Sequence, residues 1–464
     1  MNFASIAFDS DLMSRYEGEG PRYTSYPTAA HFDAQIAEPE YRDEISRRAA
    51  EHASAPVSLY AHIPFCFAPC FYCACNKVVT SRMDLVESYV QSLDREIELR
   101  AACFGERCSV EQLHFGGGTP TFLPTRRLIG LIDRIDRHFP LSSADTRDFS
   151  IEIDPRAAGT PLLRLLASVG FNRLSLGVQD FDEAVQRAVN RVQPAEIVEH
   201  VYAAARHIGF QSINFDLIYG LPHQTACGFA ATLQRVVAMR PDRIAVYGYA
   251  HLPQRFKAQR RIRAQDLPNA AQRLELLDCA IETLGAAGYL YIGMDHFALP
   301  GDSLSQALQA RTLQRSFQGY TTHADLDLVN VGVSAIGKVG DLYVQNAKDL
   351  NTYGNDMTGE RLPTQRGLRL SPDDRVRSRV IQGIMCHGRV DEAAVEREFG
   401  IDFERYFGAE RERLAALAAD GLVERAPKSI RLTPKGRLLM RNVAMVFDAY
   451  ASRGAAPRIG SRLI

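Results

Sequence analysis

From Ser58 onwards short β-rich runs alternate with stretches whose apolar residues recur at helical spacing. The runs Ser58–Ile63, Val110–Phe115, Phe149–Ile153, Arg173–Val178, Ser212–Ile218 and Arg243–Tyr249 read as strands, with helices over segments such as Leu85–Arg100 and Glu196–Ile208 between them. Such alternation calls for parallel βαβ units with right-handed crossovers. Six repeats fall two short of a closed eight-fold barrel, which needs about 250 residues. The expected fold is therefore α/β, an incomplete (βα)6 TIM-like barrel. Ligands of such folds bind at the carboxyl ends of the strands, where the distinctive motifs of this chain also lie.

Both flanks of this region differ from it. Ahead of it, Gly20-Pro-Arg-Tyr-Thr-Ser-Tyr-Pro-Thr-Ala29 is too rich in Pro, Gly and β-branched residues for a helix and reads as an ordered extended arm. Beyond about Ser371 the pattern turns helical, over Arg375–Cys386, Asp391–Phe399 and Ala409–Asp420. A hairpin follows between Leu422–Arg425 and Ser429–Thr433. The expected division is an N-terminal arm (1–55), a catalytic region with a barrel extension (56–370) and a small, mostly helical, winged-helix-like C-terminal domain (371–464). A winged helix often binds DNA, but Lys and Arg number 54 against 55 Asp and Glu, so no overall field draws the chain to nucleic acid. A lid or packing module is the expected role.

With 46% hydrophobic and 23% charged residues the composition is that of a globular protein. No window approaches the roughly 18 apolar residues of a membrane span, and Asp9, Asp11 and Glu17 break up the N-terminal stretch that a signal peptide would occupy. The expectation is a cytoplasmic protein without nucleic-acid or membrane partners, and nothing demands more than a monomer.

Four of nine cysteines, Cys66, Cys70, Cys73 and Cys75, fall in one ten-residue window directly after the first strand, a distribution that suits a reducing compartment and a metal site. Three thiolates at CxxxCxxC can take three corners of a four-iron cube, leaving the fourth iron open to a ligand. The competing readings are a four-cysteine zinc site that includes Cys75, and cysteines packed in a core. Structural zinc usually draws its ligands from two separated pairs, and core cysteines seldom cluster. Phe65, Phe67, Phe71 and Tyr72 around the loop are positioned to shield a reduced cluster from water. Gly116-Gly-Gly-Thr119 follows a strand, where glycines let backbone groups approach a ligand closely; a bare glycine run is also a common turn.

Together with Tyr60-Ala-His62, Gly116–Pro120 and Ala74-Cys75, the cysteine run resembles the radical S-adenosylmethionine superfamily, and within it the oxygen-independent coproporphyrinogen III oxidase (dehydrogenase) family. The resemblance extends over nearly the whole chain. It takes in the arm, Asn214–Pro222, Ala250–Pro253, Gly293–Phe297, Phe317–Thr322 and Gly332–Ile336.

The resemblance implies a barrel of the radical S-adenosylmethionine type and a 4Fe-4S cluster held by Cys66, Cys70 and Cys73, with the methionine end of S-adenosylmethionine on the fourth iron. Cys75 is then spare. It also implies that Tyr60, Gly117, Glu152 and Ile336 contact the cluster-bound cofactor, Glu152 through ribose hydroxyls. A second S-adenosylmethionine site is implied at Tyr72, Gly118, Thr119, Gln179, Arg191, Asp216 and Ala250. Taken singly, Gln179 and Asp216 have a plainer explanation in a structural hydrogen bond, Arg191 in a surface salt bridge and Glu152 in a solvated or paired carboxylate. No catalytic side chain beyond these cofactor contacts is expected. Arg22 and Lys77 are candidates to meet substrate propionates; His62 and His296 are candidate acid–base groups, His296 reading more readily as a core histidine.

The implied reaction is one-electron cleavage of S-adenosylmethionine and abstraction of a propionate β-hydrogen from coproporphyrinogen III. Two rounds of decarboxylation give the vinyl groups of protoporphyrinogen IX in haem biosynthesis. It requires an electron donor protein such as flavodoxin or ferredoxin. The alternatives are a haem chaperone on the same barrel, which typically carries an aromatic residue in place of Cys75 and lacks the arm, and a radical methyltransferase.

Overall fold

The computed structural model describes residues 6–51, 55–104, 108–323, 326–452 and 461–462. Residues 1–5 and 52–54 of the expected arm, and 453–460 and 463–464 of the expected C-terminal domain, lie outside the described residues.

The six expected strands form within one or two residues of their sequence positions: β1 (Val57–Ile63), β2 (Val110–Gly117), β3 (Asp148–Ile153), β4 (Arg173–Gln179), β5 (Ser212–Tyr219) and β6 (Arg243–Gly248). They pair in parallel in chain order. Six further strands extend the sheet to twelve: β7 (Leu290–Gly293), β8 (His296–Ala298), β9 (Asp327–Val331), β10 (Ile336–Val339), β11 (Leu342–Asn346) and β12 (Thr364–Arg369). The order β7-β8-β6-β5-β4-β3-β2-β1-β9-β10-β11-β12 has two ends rather than forming a ring. β9 runs parallel to β1, whereas β7, β8 and β10–β12 pair antiparallel.

Each parallel strand alternates. Leu59, Leu113, Phe115, Ile151, Leu174, Leu176, Ile213, Phe215 and Ile244 are buried in one apolar core. That core is shared with the helices α2 (Met83–Phe104), α3 (Thr125–His138), α5 (Ala195–Ile208) and α6 (Ala226–Met239). The intervening residues are polar and bond to one another. Ser58 Oγ donates to Gln112 Oε1 at 2.8 Å, Gln112 Nε2 donates to Thr321 Oγ1 at 2.9 Å, and Ser175 Oγ donates to Asp216 Oδ2 at 2.7 Å. A parallel sheet covered on both faces reads as continuous hydrophobic runs. Here one face is apolar and helix-covered, and the other lines a polar lumen.

A buried network fixes one wall of the lumen. Glu96 of α2 pairs with Arg100 at 2.7 Å, both fully buried, and accepts from Tyr353 Oη and from the Gly332 N–H, each at 2.6 Å. Tyr89 Oη donates to the His62 carbonyl at 2.7 Å and accepts from the Val333 N–H at 3.0 Å. The turn before β10 is thereby held against the end of β1.

The arm is free of helix over residues 20–28, as expected, but it bends at residues 24–27 instead of running extended, with Tyr23 at φ +47°; Tyr23 and Tyr26 are buried. Tyr23 Oη donates to Asp448 at 2.9 Å, which binds the arm to the far end of the chain. Unexpected is the helix α1 (Glu38–Glu51), whose Tyr41 and Ile45 pack on Val339, Leu342 and Val344. Its few apolar positions give little periodic signal; i,i+4 pairs Arg42–Glu38 and Arg47–Glu51 support it instead.

After β12, Ser371 caps helix α8 (Pro372–His387) in a capping box with Asp374. Helices Glu392–Phe399 and Arg411–Ala419 surround a three-stranded sheet in the order Arg389–Asp391, Ser429–Leu432, Val423–Ala426. The expected winged-helix-like pattern thus gains the strand Arg389–Asp391, too short and charged to be read from sequence.

Candidate functional site

Leaving β1, the chain pairs Phe65–Cys66 in parallel with Val78–Val79, which closes the cysteine loop. The Phe71 N–H donates to the Val189 carbonyl at 2.9 Å, Asn190 Nδ2 to the Pro69 carbonyl at 2.8 Å, and Lys77 Nζ to the Cys73 carbonyl at 3.1 Å. Cys66, Cys70 and Cys73 are free thiols lining one cavity of about 360 Å³ at the carboxyl ends of the parallel strands. Thr119 Oγ1 points to Cys66 Sγ at 3.7 Å, and Arg191 Nη1 to Cys70 Sγ at 3.6 Å. Burial pushes the Cys66 thiol up to about 11, while the hydrogen bond with Cys75 brings Cys73 down to about 5. Among the described residues no three His, Cys, Asp or Glu side chains converge on a point that one ion could occupy. Three thiols on one cavity, two of them met by hydrogen-bond donors, fit an iron–sulfur cluster, whose sulfurs are tuned by such donors. Of the expected aromatic shield, Phe65 is buried and Phe71 and Tyr72 are half-buried, but Phe67 is 61% exposed and rests on Phe122.

A second cavity of about 330 Å³ adjoins the first, sharing Cys75, Gly117 and Glu152 with it. Tyr60, Gly117, Glu152 and Ile336 all line it. Glu152 Oε2 accepts from the Gly117 N–H at 3.1 Å, and His114 Nε2 lies 3.5 Å from Oε1. Burial works to raise the Glu152 carboxyl, but His114 and the Gly117 N–H outweigh it and hold it below the usual carboxylate range. His62 Nε2 faces the Asn76 carbonyl at 3.0 Å and Nδ1 faces Tyr60 Oη at 3.0 Å. Since a carbonyl only accepts, Nε2 carries the proton and Nδ1 accepts from the tyrosine. Burial lowers the His62 pKa, so this neutral tautomer persists at pH 7.

The glycines here answer to protein packing as well as to a ligand. Gly117 has φ +115°, and a Cβ there would fall 2.6 Å from the His62 ring; one on Gly118 would fall 2.7 Å from the Pro64 and Phe65 backbone.

Tyr72, Gly118, Thr119, Gln179, Arg191 and Asp216 line the first cavity with the cysteines. A register shift between β4 and β5 at Gly177–Gln179 brings Gln179 round at φ +67°, an irregularity common beside active sites. Arg191 donates to the Gly177 carbonyl at 2.7 Å and to Asp154 at 3.1 Å. Asp216 is pushed up to about 6 by burial; Ser175 and Asn214 hydrogen-bond it against that trend, and the Glu152 charge adds to it. Ala250 alone of the expected set lines neither cavity; its carbonyl accepts from Gln259, which also donates to the Tyr72 carbonyl at 2.9 Å.

Lys77 lines the cysteine cavity. Arg22 reaches the lumen from the arm, pairs with Asp295 and lies 5.7 Å from the Tyr247 ring centre. His296 is a lumen histidine between the Tyr247 and Tyr320 rings, held down to about 3 by burial and then by Arg315. His114, Asp154, Ser175 and Tyr247 were not among the expected residues. The polar positions of the alternating strands would have pointed to His114, Ser175 and Tyr247; nothing local marks Asp154.

Residues 60–236 match the radical SAM superfamily and residues 370–439 the HemN C-terminal domain. The oxygen-independent coproporphyrinogen III oxidase of Pseudomonas aeruginosa is 50% identical over 446 residues, 96% of each chain. That of Escherichia coli is 45% identical over 464 residues, 100% of each chain. The solved structure described as "Coproporphyrinogen III oxidase (HemN) from Escherichia coli is a Radical SAM enzyme" superposes with a TM-score of 0.91 at 43% identity, covering 96% of this chain and 100% of that one.

Proposed function

We propose a mechanism from one premise: this chain belongs to the oxygen-independent coproporphyrinogen III oxidase family of the radical S-adenosylmethionine superfamily. It carries out the anaerobic oxidation of coproporphyrinogen III in haem biosynthesis, with a 4Fe-4S cluster and S-adenosylmethionine. When bound, the cluster and the cofactor supply a radical able to abstract a propionate β-hydrogen. In each of two rounds, abstraction is followed by loss of carbon dioxide and of one electron, so that two propionates become the vinyl groups of protoporphyrinogen IX. The electron lost equals the electron consumed in cleaving S-adenosylmethionine to methionine and 5′-deoxyadenosine.

In this reading Cys66, Cys70 and Cys73 hold the cluster while Thr119 and Arg191 donate towards its sulfurs. Tyr60, Gly117, Glu152 and Ile336 hold the reacting S-adenosylmethionine. Glu152 stays ionised and accepts from ribose hydroxyls, because the Gly117 N–H and His114 already stabilise its charge. Tyr72, Gly118, Thr119, Gln179, Arg191 and Asp216 hold a second S-adenosylmethionine, with Ala250 acting through Gln259. The polar lumen positions the porphyrinogen, and the arm and C-terminal domain exclude water from the reacting atoms. The division into arm (1–55), catalytic region (56–370) and C-terminal domain (371–464) is part of the same proposal; it is supported by β12 ending at Arg369 and the cap at Ser371. So are a monomeric state, a cytoplasmic location and a flavodoxin or ferredoxin as reductant. Among the described residues no helix is long and apolar enough to cross a membrane.

The observation that carries the reading is the junction of the two cavities: three thiols open on one side, Glu152 and Gly117 stand on the shared wall, and the lumen continues beyond. Reconstituted protein, incubated anaerobically with coproporphyrinogen III, S-adenosylmethionine and a reductant, is expected to yield protoporphyrinogen IX, 5′-deoxyadenosine and methionine. Haem binding with no vinyl product, or S-adenosylhomocysteine among the products, would overturn it.

A further inference from the structure

A cavity of about 650 Å³ lies away from the cysteines. Its lining includes Ser58 and Gln112 at the starts of β1 and β2, the segment around Arg315, Lys338 of β10 and one side of α8. It shares Phe317 and Leu328 with the 330 Å³ cavity, which in turn shares Gly117 and Glu152 with the cysteine cavity. The three form a row along the lumen. From Ser58 to His62 alone the strand covers about 13 Å, so the far cavity lies roughly one macrocycle's width from the Glu152 wall.

Among the described residues the charge of the far cavity is out of balance. Arg311, Arg315, Lys338, Arg375 and Arg379 line it against Asp341 and Glu398. The two carboxylates are engaged at the rim, Asp341 with Arg375 at 3.2 Å and Glu398 with Arg379 at 3.0 Å. Deeper in, Arg315 is 6% exposed and has no carboxylate partner among the described residues. Its guanidinium lies 4.7 Å from the Tyr320 ring centre, Nε donates to the Arg22 carbonyl at 3.4 Å, and the buried Nη1 has no hydrogen-bond partner among the described residues. Lys338 lies 5.8 Å from the Tyr343 ring centre and likewise lacks a carboxylate among the described residues. Burying a guanidinium with an orphaned N–H is costly unless an anion meets it.

We infer that this cavity seats propionates of the porphyrinogen that are not reacting, with Arg315 and Lys338 as their carboxylate partners and Phe317 and Leu328 beside the ring. Holding one edge of the macrocycle at the far cavity presents the opposite edge to the Glu152 wall. The inference rests on the substrate assignment above. It adds orientation: the propionates seated here are ones that the reaction leaves unchanged, so they anchor the macrocycle while the reacting propionates lie towards the Glu152 wall.

The test uses full-length reconstituted protein and two readouts. Binding of coproporphyrin III, the non-reacting oxidised tetrapropionate, is measured by fluorescence quenching against its tetramethyl ester, in which every propionate charge is removed. KM and kcat are measured with coproporphyrinogen III. Arg315→Gln and Lys338→Gln are each expected to raise the coproporphyrin Kd and the KM about tenfold, the loss of one charge-assisted hydrogen bond. Tetramethyl-ester binding, iron content and S-adenosylmethionine affinity should change far less, and Arg315→Lys should recover part of the loss. An unchanged coproporphyrin Kd in Lys338→Gln, whose half-buried side chain has no hydrogen bond to lose among the described residues, would overturn the inference. So would an equal loss of S-adenosylmethionine binding in Arg315→Gln. A wild-type protein that binds coproporphyrin through these residues but forms no vinyl product would sink the function and leave the site standing.

Discussion

The two ends of the lumen handle charge in opposite ways. At the cysteine end the ionised groups meet partners within the chain: Glu152 has the Gly117 N–H and His114, Arg191 has Asp154 and the Gly177 carbonyl, and Asp216 has Ser175 and Asn214. At the far end Arg315 and Lys338 have aromatic faces but no carboxylate among the described residues. An end whose polar groups satisfy one another keeps its shape before any ligand arrives, which is what aligning a cluster and a cofactor requires. An end that keeps cations unneutralised stores its attraction for an anion that comes and goes. Catalytic geometry and substrate capture are thus separated along one set of strands.

The sharpest way to break this contrast is at the thiols. Cys66→Ala, Cys70→Ala or Cys73→Ala should abolish the brown absorbance, acid-labile sulfide and 5′-deoxyadenosine formation, while Cys75→Ala keeps most of its iron. Iron retained by all three would show that the ligands are elsewhere. Next in size is Glu152→Gln, which removes a charge-assisted acceptor shared by both upper cavities. It should weaken S-adenosylmethionine binding about 10- to 100-fold and leave coproporphyrin III binding nearly unchanged, the reverse of Arg315→Gln. If calorimetry finds the two variants affecting both ligands alike, the ends are not separate.

The smallest effect is expected at Asp216. Its pKa, raised to about 6 chiefly by burial, lies above the roughly 3.9 of an unfolded aspartate. Ionising it therefore opposes folding above pH 6, and the opposition vanishes below the unfolded value. Asp216→Asn should stabilise the protein by about 1–2 kcal/mol at pH 8, less than a full two-unit shift because the group faces a solvated cavity, and by almost nothing at pH 4. A melting temperature that changes equally at both pH values would show that its charge is not the cause.

Much of the catalytic half was legible because its signals are local. Strands β1–β6 announce themselves by alternation, and the thiols by spacing within one loop. Strands β7–β12 are short and, apart from the parallel pairing of β9 with β1, antiparallel; β9 finds β1 only across some 270 residues. The glycine run was legible as a close approach, but what it approaches, the His62 ring and the Pro64–Phe65 backbone, belongs to another strand. Phe67 looked like part of a shield, and only the fold turns it outward.

By itself, then, the sequence determined the α/β periodicity, the three-thiol loop and the polar alternate positions of the central strands, all properties of residues a few positions apart. Tertiary structure alone decided that those polar positions face a shared lumen, that Arg22 is spent on Asp295, and that Arg315 and Lys338 meet no counter-charge among the described residues. Whether an ionic group is satisfied depends on which distant groups the fold brings within a few ångströms, and no count of charges along a chain contains that distance.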